Sequence, residues 1–164
     1  MDFYKDLLVP KKLEFSKIFF RMCILALTAT ITVWSFLILK SLSAVIIIAV
    51  WYITWYVMRY FSIEHEYIVT NGELDVDIIY GKKKRKRLAT INNKNLEIMA
   101  PLSSDKSLNG DFKKRIDASS GIKENKKYYA VFNHKEFGRT LLIFEPSDEM
   151  LENIKYYNRS KVTV

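Results

Sequence analysis

Six consecutive cations, Lys82-Lys83-Lys84-Arg85-Lys86-Arg87, are the most chemically pointed feature of this 164-residue chain. At that density Lys and Arg raise a positive potential that attracts phosphate-bearing lipid headgroups or an acidic partner. The same six residues also admit a structural role. Asp75 and Asp77 precede them on a strand expected to run alongside, and opposite charges on facing strands pair favourably. The sequence leaves open whether Lys82, Lys83, Lys84, Arg85, Lys86 and Arg87 contact a ligand or only their own hairpin.

Other residues with chemical potential are scattered. His65 sits between Glu64 and Glu66, but neighbours along a strand point to opposite faces, so His65 is not expected to converge with Asp75 and Asp77 on a metal or a proton. His134 falls in an expected hairpin turn, where a solvated histidine is ordinary. Cys23 is the only cysteine; it excludes an intramolecular disulfide framework and a Cys-based zinc site, and is expected as a small buried hydrophobe. The chain has no Gly-rich phosphate loop, nucleophile elbow or paired-histidine zinc motif. No enzyme, cofactor or metal is expected.

The elements that position these residues divide sharply by hydropathy. Met22 to Leu39 is an 18-residue run without a charged side chain, and Ser41 to Met58 is a second. About 20 residues at 1.5 Å rise span a 30 Å hydrocarbon core. Two such runs in succession predict transmembrane helices over about 18–39 and 41–60. Ser41 and Ser43 are spaced like a signal-peptide cleavage site, but the apolar region is too long and a second span follows at once. Lys11, Lys12, Lys17 and Arg21 precede the first span, Arg59 closes the second, and only Lys40 lies between them. By the positive-inside rule, both termini, Met1 and Val164, are expected in the cytoplasm of a multi-pass protein of the cell membrane. Thr28, Thr32 and Ser35 recur at helical spacing, as small polar residues do at helix contacts, while Trp51, Tyr52, Trp55, Tyr56 and Tyr60 suit the membrane interface.

Residues 1–17 are expected as an N-terminal cytoplasmic segment, either a short surface helix ended by Pro10 with Phe3, Tyr4, Leu7 and Leu8 on one face, or a frayed tail. Residues 62–164 are expected as a β-rich domain. Asn71-Gly72 between alternating segments is a strong hairpin signal, with Leu74, Val76 and Ile78 buried and Asp75 and Asp77 wet. Leu88 to Ile91 should return as a third strand, and Leu96 to Leu102 as a strand or short helix. Ser103 to Asn125 should be a long loop, residues 127–144 a second hairpin around Gly138, and Pro146 to Tyr157 an amphipathic helix.

The two-span anchor, Glu66-Tyr67-Ile68-Val69-Thr70-Asn71-Gly72-Glu73-Leu74-Asp75-Val76-Asp77, the basic strand and the closing Leu142-Ile143-Phe144-Glu145-Pro146 resemble an uncharacterised family of small two-span membrane proteins of Gram-positive bacteria. More distantly the chain is similar to bacterial membrane proteins with pleckstrin-homology-like domains. The resemblance implies a fold, a membrane α-helical hairpin plus an α+β soluble domain built as an antiparallel open barrel capped by a C-terminal helix. It brings no known activity.

The net charge of +8 is shared between the halves and fits a protein beside anionic lipid. The expected partners are the bilayer, anionic lipid and an unidentified protein; nucleic acid is not expected. The function expected is that of a non-enzymatic membrane-anchored module, the alternative being a subunit or regulator of a transport or cell-envelope complex that acts through its helices.

Overall fold

The computed structural model describes residues 3–12, 15–103 and 110–163. The apolar runs form helix α1 (Phe15–Leu39) and helix α2 (Ser43–Tyr60), joined by a 3-10 turn at Lys40–Leu42. Lys40 takes a positive φ of 35° to close the connection. Both helices are long and apolar enough to cross a membrane, and only 11% of either apolar window is buried within the molecule. A core helix of a soluble domain would be mostly buried, so these exposed apolar faces suggest association with a membrane.

The helices pack through their small polar residues. Thr28 donates to its own helix at Ile24 O (2.9 Å), which uses its only proton. Thr54 Oγ1, 2.7 Å away, is therefore the donor to Thr28 Oγ1. Ser35 and Ser43 are buried in the same seam, as the spacing of Thr28 and Ser35 predicts. Cys23 corrects the expectation of burial: it is exposed on the outer surface of α1.

Among the described residues, eight strands build the domain. Strands β1 (Tyr4–Pro10), β2 (Ile63–Thr70), β3 (Glu73–Tyr80) and β4 (Lys84–Ile91) form one antiparallel sheet in that order. Strands β5 (Leu96–Pro101), β6 (Lys114–Asp117), β7 (Tyr128–His134) and β8 (Gly138–Phe144) form a second sheet in the order β5-β7-β8-β6. The inner faces of the two sheets share one core containing Tyr67, Val69, Leu74, Val76, Phe132, Leu142 and Phe144. Helix α3 (Asp148–Tyr157) closes the far end by adding Met150, Leu151 and Ile154. Its N-terminus is capped by Ser147, whose hydroxyl accepts from Met150 N–H.

Two expectations are corrected. Tyr4–Pro10 is not a helix but the edge strand β1, paired with β2 from Tyr4 opposite Thr70 to Pro10 opposite Glu64. Seven residues cannot distinguish a 3.6 from a 2.0 period decisively, and the partner strand lies beyond both helices. Pairing with that partner buries Val9 and half-buries Leu7, whereas a surface helix would bury neither in protein. The second correction is β6, inside the expected loop, which pairs in parallel with β8. Leu96–Pro101 resolves as a strand.

Asn71 and Gly72 adopt φ of 47° and 82° in the β2–β3 turn. Gly72 is also required by space, because a Cβ there would lie 2.3 Å from Tyr157 Cβ. Asn153 and Asn158 of the α3 region grip the same glycine, through Gly72 N–H to Asn153 Oδ1 (2.9 Å) and Asn158 Nδ2 to Gly72 O (3.3 Å).

The membrane hairpin is thus an insertion between two paired strands. The chain completes β1, leaves for α1 and α2, and returns as β2 beside the strand it left.

Candidate functional site

Strand alternation divides the six-cation run. Between Val76 and Asp77 the β3–β4 register shifts, so that Val76 faces Ala89, Asp77 faces Arg87, and Leu88 is the extra residue of a β-bulge. Leu88 turns in to pack against the core. Arg85 and Arg87 share the outer face of the sheet with Glu66, Asp75 and Asp77, whereas Lys84 and Lys86 take the opposite side of the strand.

The two arginines are committed to carboxylates. Arg85 pairs with Glu66 at 2.5 Å and with Asp77 at 3.8 Å; Arg87 pairs with Asp75 at 2.5 Å and also with Asp77. Asp77 is only 2% exposed, beneath these guanidinium groups. The expected wet face at Asp77 is therefore corrected: it faces away from the core but is roofed by arginine. Burial works against the Arg87 charge, yet hydrogen bonding to Asp77 and the charges of Asp75 and Asp77 raise its pKa overall.

The lysines have no comparable ties. Lys82 reaches Glu64 only at 3.9 Å, and Lys83, Lys84 and Lys86 are exposed. Their turn is held against the end of α2: Gly81 N–H donates to Ser62 O at 2.8 Å, and Lys83 N–H closes the turn on Tyr80 O at 3.1 Å. Gly81 and Lys82 both take positive φ, 57° and 58°. A Cβ on Gly81 would approach Arg59 O to 2.9 Å. This close approach fixes the cationic turn beside the last turn of α2, where Arg59 lies over the Trp55 ring.

Sequence reading missed a second basic segment at the same end. Lys12 N–H donates to Ser120 O at 2.7 Å, and Lys11 N–H to Ile63 O at 3.0 Å. The segment after β6 is thereby docked next to the start of α1, and it carries the exposed Lys123 and Lys126. Its polar composition reads as a loop, and nothing in its spacing announces where it docks.

Beneath this surface lies a buried polar cluster. Glu145 accepts from Ser120 N–H (3.1 Å), Ser120 Oγ (2.9 Å) and Asn125 Nδ2 (2.9 Å). Tyr67 donates to Ala118 O at 2.6 Å, and burial pushes its phenol well above the ordinary range. Partial burial opposes the charge of Asp117, but hydrogen bonds from Ser119 outweigh it and hold the carboxyl below its usual value. Burial, aided by the charge of Lys11, pushes His65 down to about 4.

His65 faces the core, on the opposite side of the sheet from Asp75 and Asp77, so the structure does not bring these three together. Among the described residues no group of three or more His, Cys, Asp or Glu side chains is placed to hold a metal. His134 accepts from Glu136 N–H at 3.1 Å. Met1 and Val164, expected on the cytoplasmic side, lie outside the described residues.

The whole chain, residues 1–164, matches the family described as Bacterial PH-like domain (DUF6106), and the chain belongs to that family. Domains of this kind often mediate protein or lipid binding and are generally non-catalytic. No curated protein and no solved structure matches the chain.

Proposed function

We propose, with membership of this PH-like family as the premise, that the chain is a non-enzymatic membrane module that holds a binding domain against the inner leaflet. Its helix-proximal lysines, Lys82, Lys83 and Lys84, meet anionic headgroups there. The observation that carries this is the attachment of the Gly81–Lys83 turn to the end of α2 at Ser62 and Arg59. A cation held at that level lies within the roughly 8 Å over which charge acts at physiological ionic strength, and each contributes about 1 kcal/mol near an anionic surface.

The topology has its own support. Strand β1 precedes both helices and β2 follows them, and the two pair along their whole length. Paired strands lie on one side of a membrane, a constraint that two crossings by α1 and α2 satisfy. The excess of Lys and Arg at the outer ends of the spans assigns that side to the cytoplasm.

The test uses the full chain in bilayers mixing phosphatidylcholine with anionic phosphatidylglycerol. After extraction into mild detergent, the parent protein should retain phosphatidylglycerol preferentially, and less of it as salt rises. Lys82→Gln, Lys83→Gln and Lys84→Gln together should remove the preference while leaving the thermal midpoint unchanged. Equal retention of both lipids by the parent protein overturns the lipid assignment.

A further inference from the structure

We infer that the free edge of β4 is a docking site for an extended acidic peptide segment of a partner protein, which adds to the sheet as a fifth strand. This rests on reading the domain as a binding module, but it uses a different face from the lipid-facing turn.

Among the described residues, strand β4 ends its sheet and has β3 as its one neighbour. In an antiparallel ladder, alternate main-chain N–H and C=O groups point away from the paired strand, so β4 presents unfilled donors and acceptors along its outer side. Its far end is sealed, where Asn95 Nδ2 donates to Thr90 O at 2.8 Å. Alongside this edge runs a groove of about 560 Å³, walled by β4 on one side and by Lys114 and the β7–β8 turn on the other. The bulge at Leu88 lies within the stretch of β4 that lines the groove.

Charge selects the occupant. Lys86, Arg87, Lys114 and Lys135 line the groove against Glu73 and Glu136. Arg87 is occupied by Asp75 and Asp77, but Lys86 and Lys135 have no carboxylate partner among the described residues, and Lys114 rests on the Phe137 ring at 3.4 Å. An added strand places alternate side chains on each face, so acidic residues at every second position would meet Lys86 and Lys114. A second copy of this chain is disfavoured as occupant. Two like-charged edges repel.

The probe is a fluorescent eight-residue peptide alternating Glu and Val, titrated against the full chain in nanodiscs of phosphatidylcholine alone. This lipid removes any anionic headgroup from the measurement, so failure here and failure of the lipid assignment are separate results. The peptide should bind saturably, and a version N-methylated at alternate residues, which keeps the charge but cannot form the ladder, should not. Lys86→Glu with Lys114→Glu should weaken binding at least about tenfold, equivalent to 1.4 kcal/mol, with an unchanged thermal midpoint. Lys82→Gln with Lys83→Gln, in the turn before β4, should have little effect. Equal binding of the N-methylated peptide would mean adsorption by charge alone and overturns the proposal, as does the absence of binding or indifference to the Lys86 and Lys114 reversals.

Discussion

If β1 is a structural strand of the domain, cutting the chain at the membrane boundary should damage the fold, and replacing the membrane hairpin by a turn should not. A polypeptide starting at Glu64 lacks β1 and exposes the edge of β2. Burying a Val or Leu side chain fully contributes about 1.5–3 kcal/mol. Val9 is 8% exposed and Leu7 is half-buried against the same core, which together amount to about 3 kcal/mol. The backbone hydrogen bonds of the lost ladder contribute about 1 kcal/mol each net of water, largely offset by the entropy of ordering the strand. A loss of about 3–5 kcal/mol is therefore expected, against a total of about 5–15 kcal/mol for a domain of this size.

The converse variant joins Lys11 to Ile63 through Asn-Gly. Lys11 N–H already donates to Ile63 O at 3.0 Å, so these residues form the closing pair of a two-residue hairpin, and Asn-Gly supplies the positive φ values it needs. Urea unfolding, followed by far-ultraviolet dichroism and by binding of a hydrophobic dye, compares the two soluble proteins. The closed variant should unfold cooperatively as a β-rich monomer, and the truncated one at a much lower midpoint or not cooperatively. Equal stability of the two would refute the role of β1, and failure of the closed variant to fold would show that the sheets depend on the helices.

Three further outcomes are expected. His65 has a folded-state pKa of about 4 against roughly 6.5 unfolded, so its contribution is intact above pH 6.5, falls as pH drops to 4 and is then constant; the loss reaches about 3 kcal/mol. His65→Gln should flatten that interval in pH-dependent denaturation, and an unchanged slope would contradict it. Arg87→Gln leaves the buried Asp77 with only the 3.8 Å contact to Arg85 and should cost about 1–3 kcal/mol, whereas Lys83→Gln should stay within about 0.5 kcal/mol; equal thermal midpoints for the two variants would dissolve the division of the basic run. Thr28→Val and Thr54→Val should show a coupling of about 0.6 kcal/mol in a double-mutant cycle in bilayers, and strict additivity would mean that the two hydroxyls do not meet.

What the sequence revealed follows from how local each signal is. The two spans need only counting along the chain, and the Asn71-Gly72 hairpin carries its cause in two residues. The C-terminal helix is also local: its apolar stripe and acidic first turn lie within a few turns. Strand β1 was illegible because its partner begins beyond both helices and its seven residues fit either period. Strand β6 was illegible because Lys114, Arg115 and Asp117 leave Ile116 as the one buried apolar residue of an edge strand. In the basic run, the pairing of Asp75 and Asp77 with the cations was anticipated. Which cations would be taken depended on the bulge at Leu88, a feature that no composition signals.

That bulge and the placement of the membrane hairpin bear on the same mechanical point. Strand β1 ends at Pro10 and α1 begins at Phe15, while α2 ends at Tyr60 and β2 begins at Ile63. Connections this short leave little slack, and both join the sheet at adjacent strands. The backbone bonds from Gly81 to Ser62 and from Lys12 to Ser120 then fasten the β3–β4 turn and the segment after β6 to the same junction. A domain attached by one flexible linker could tumble and present any face to the bilayer. Here a change of orientation would have to break paired backbone hydrogen bonds in several places at once, each left without water's full compensation where it is buried. The lysines of the turn therefore face the helix ends as a consequence of the fold, and the free edge of β4, which runs away from that turn, stays clear of them. The two proposed cationic surfaces, though derived from one run of residues, would in this way serve different ligands without competing.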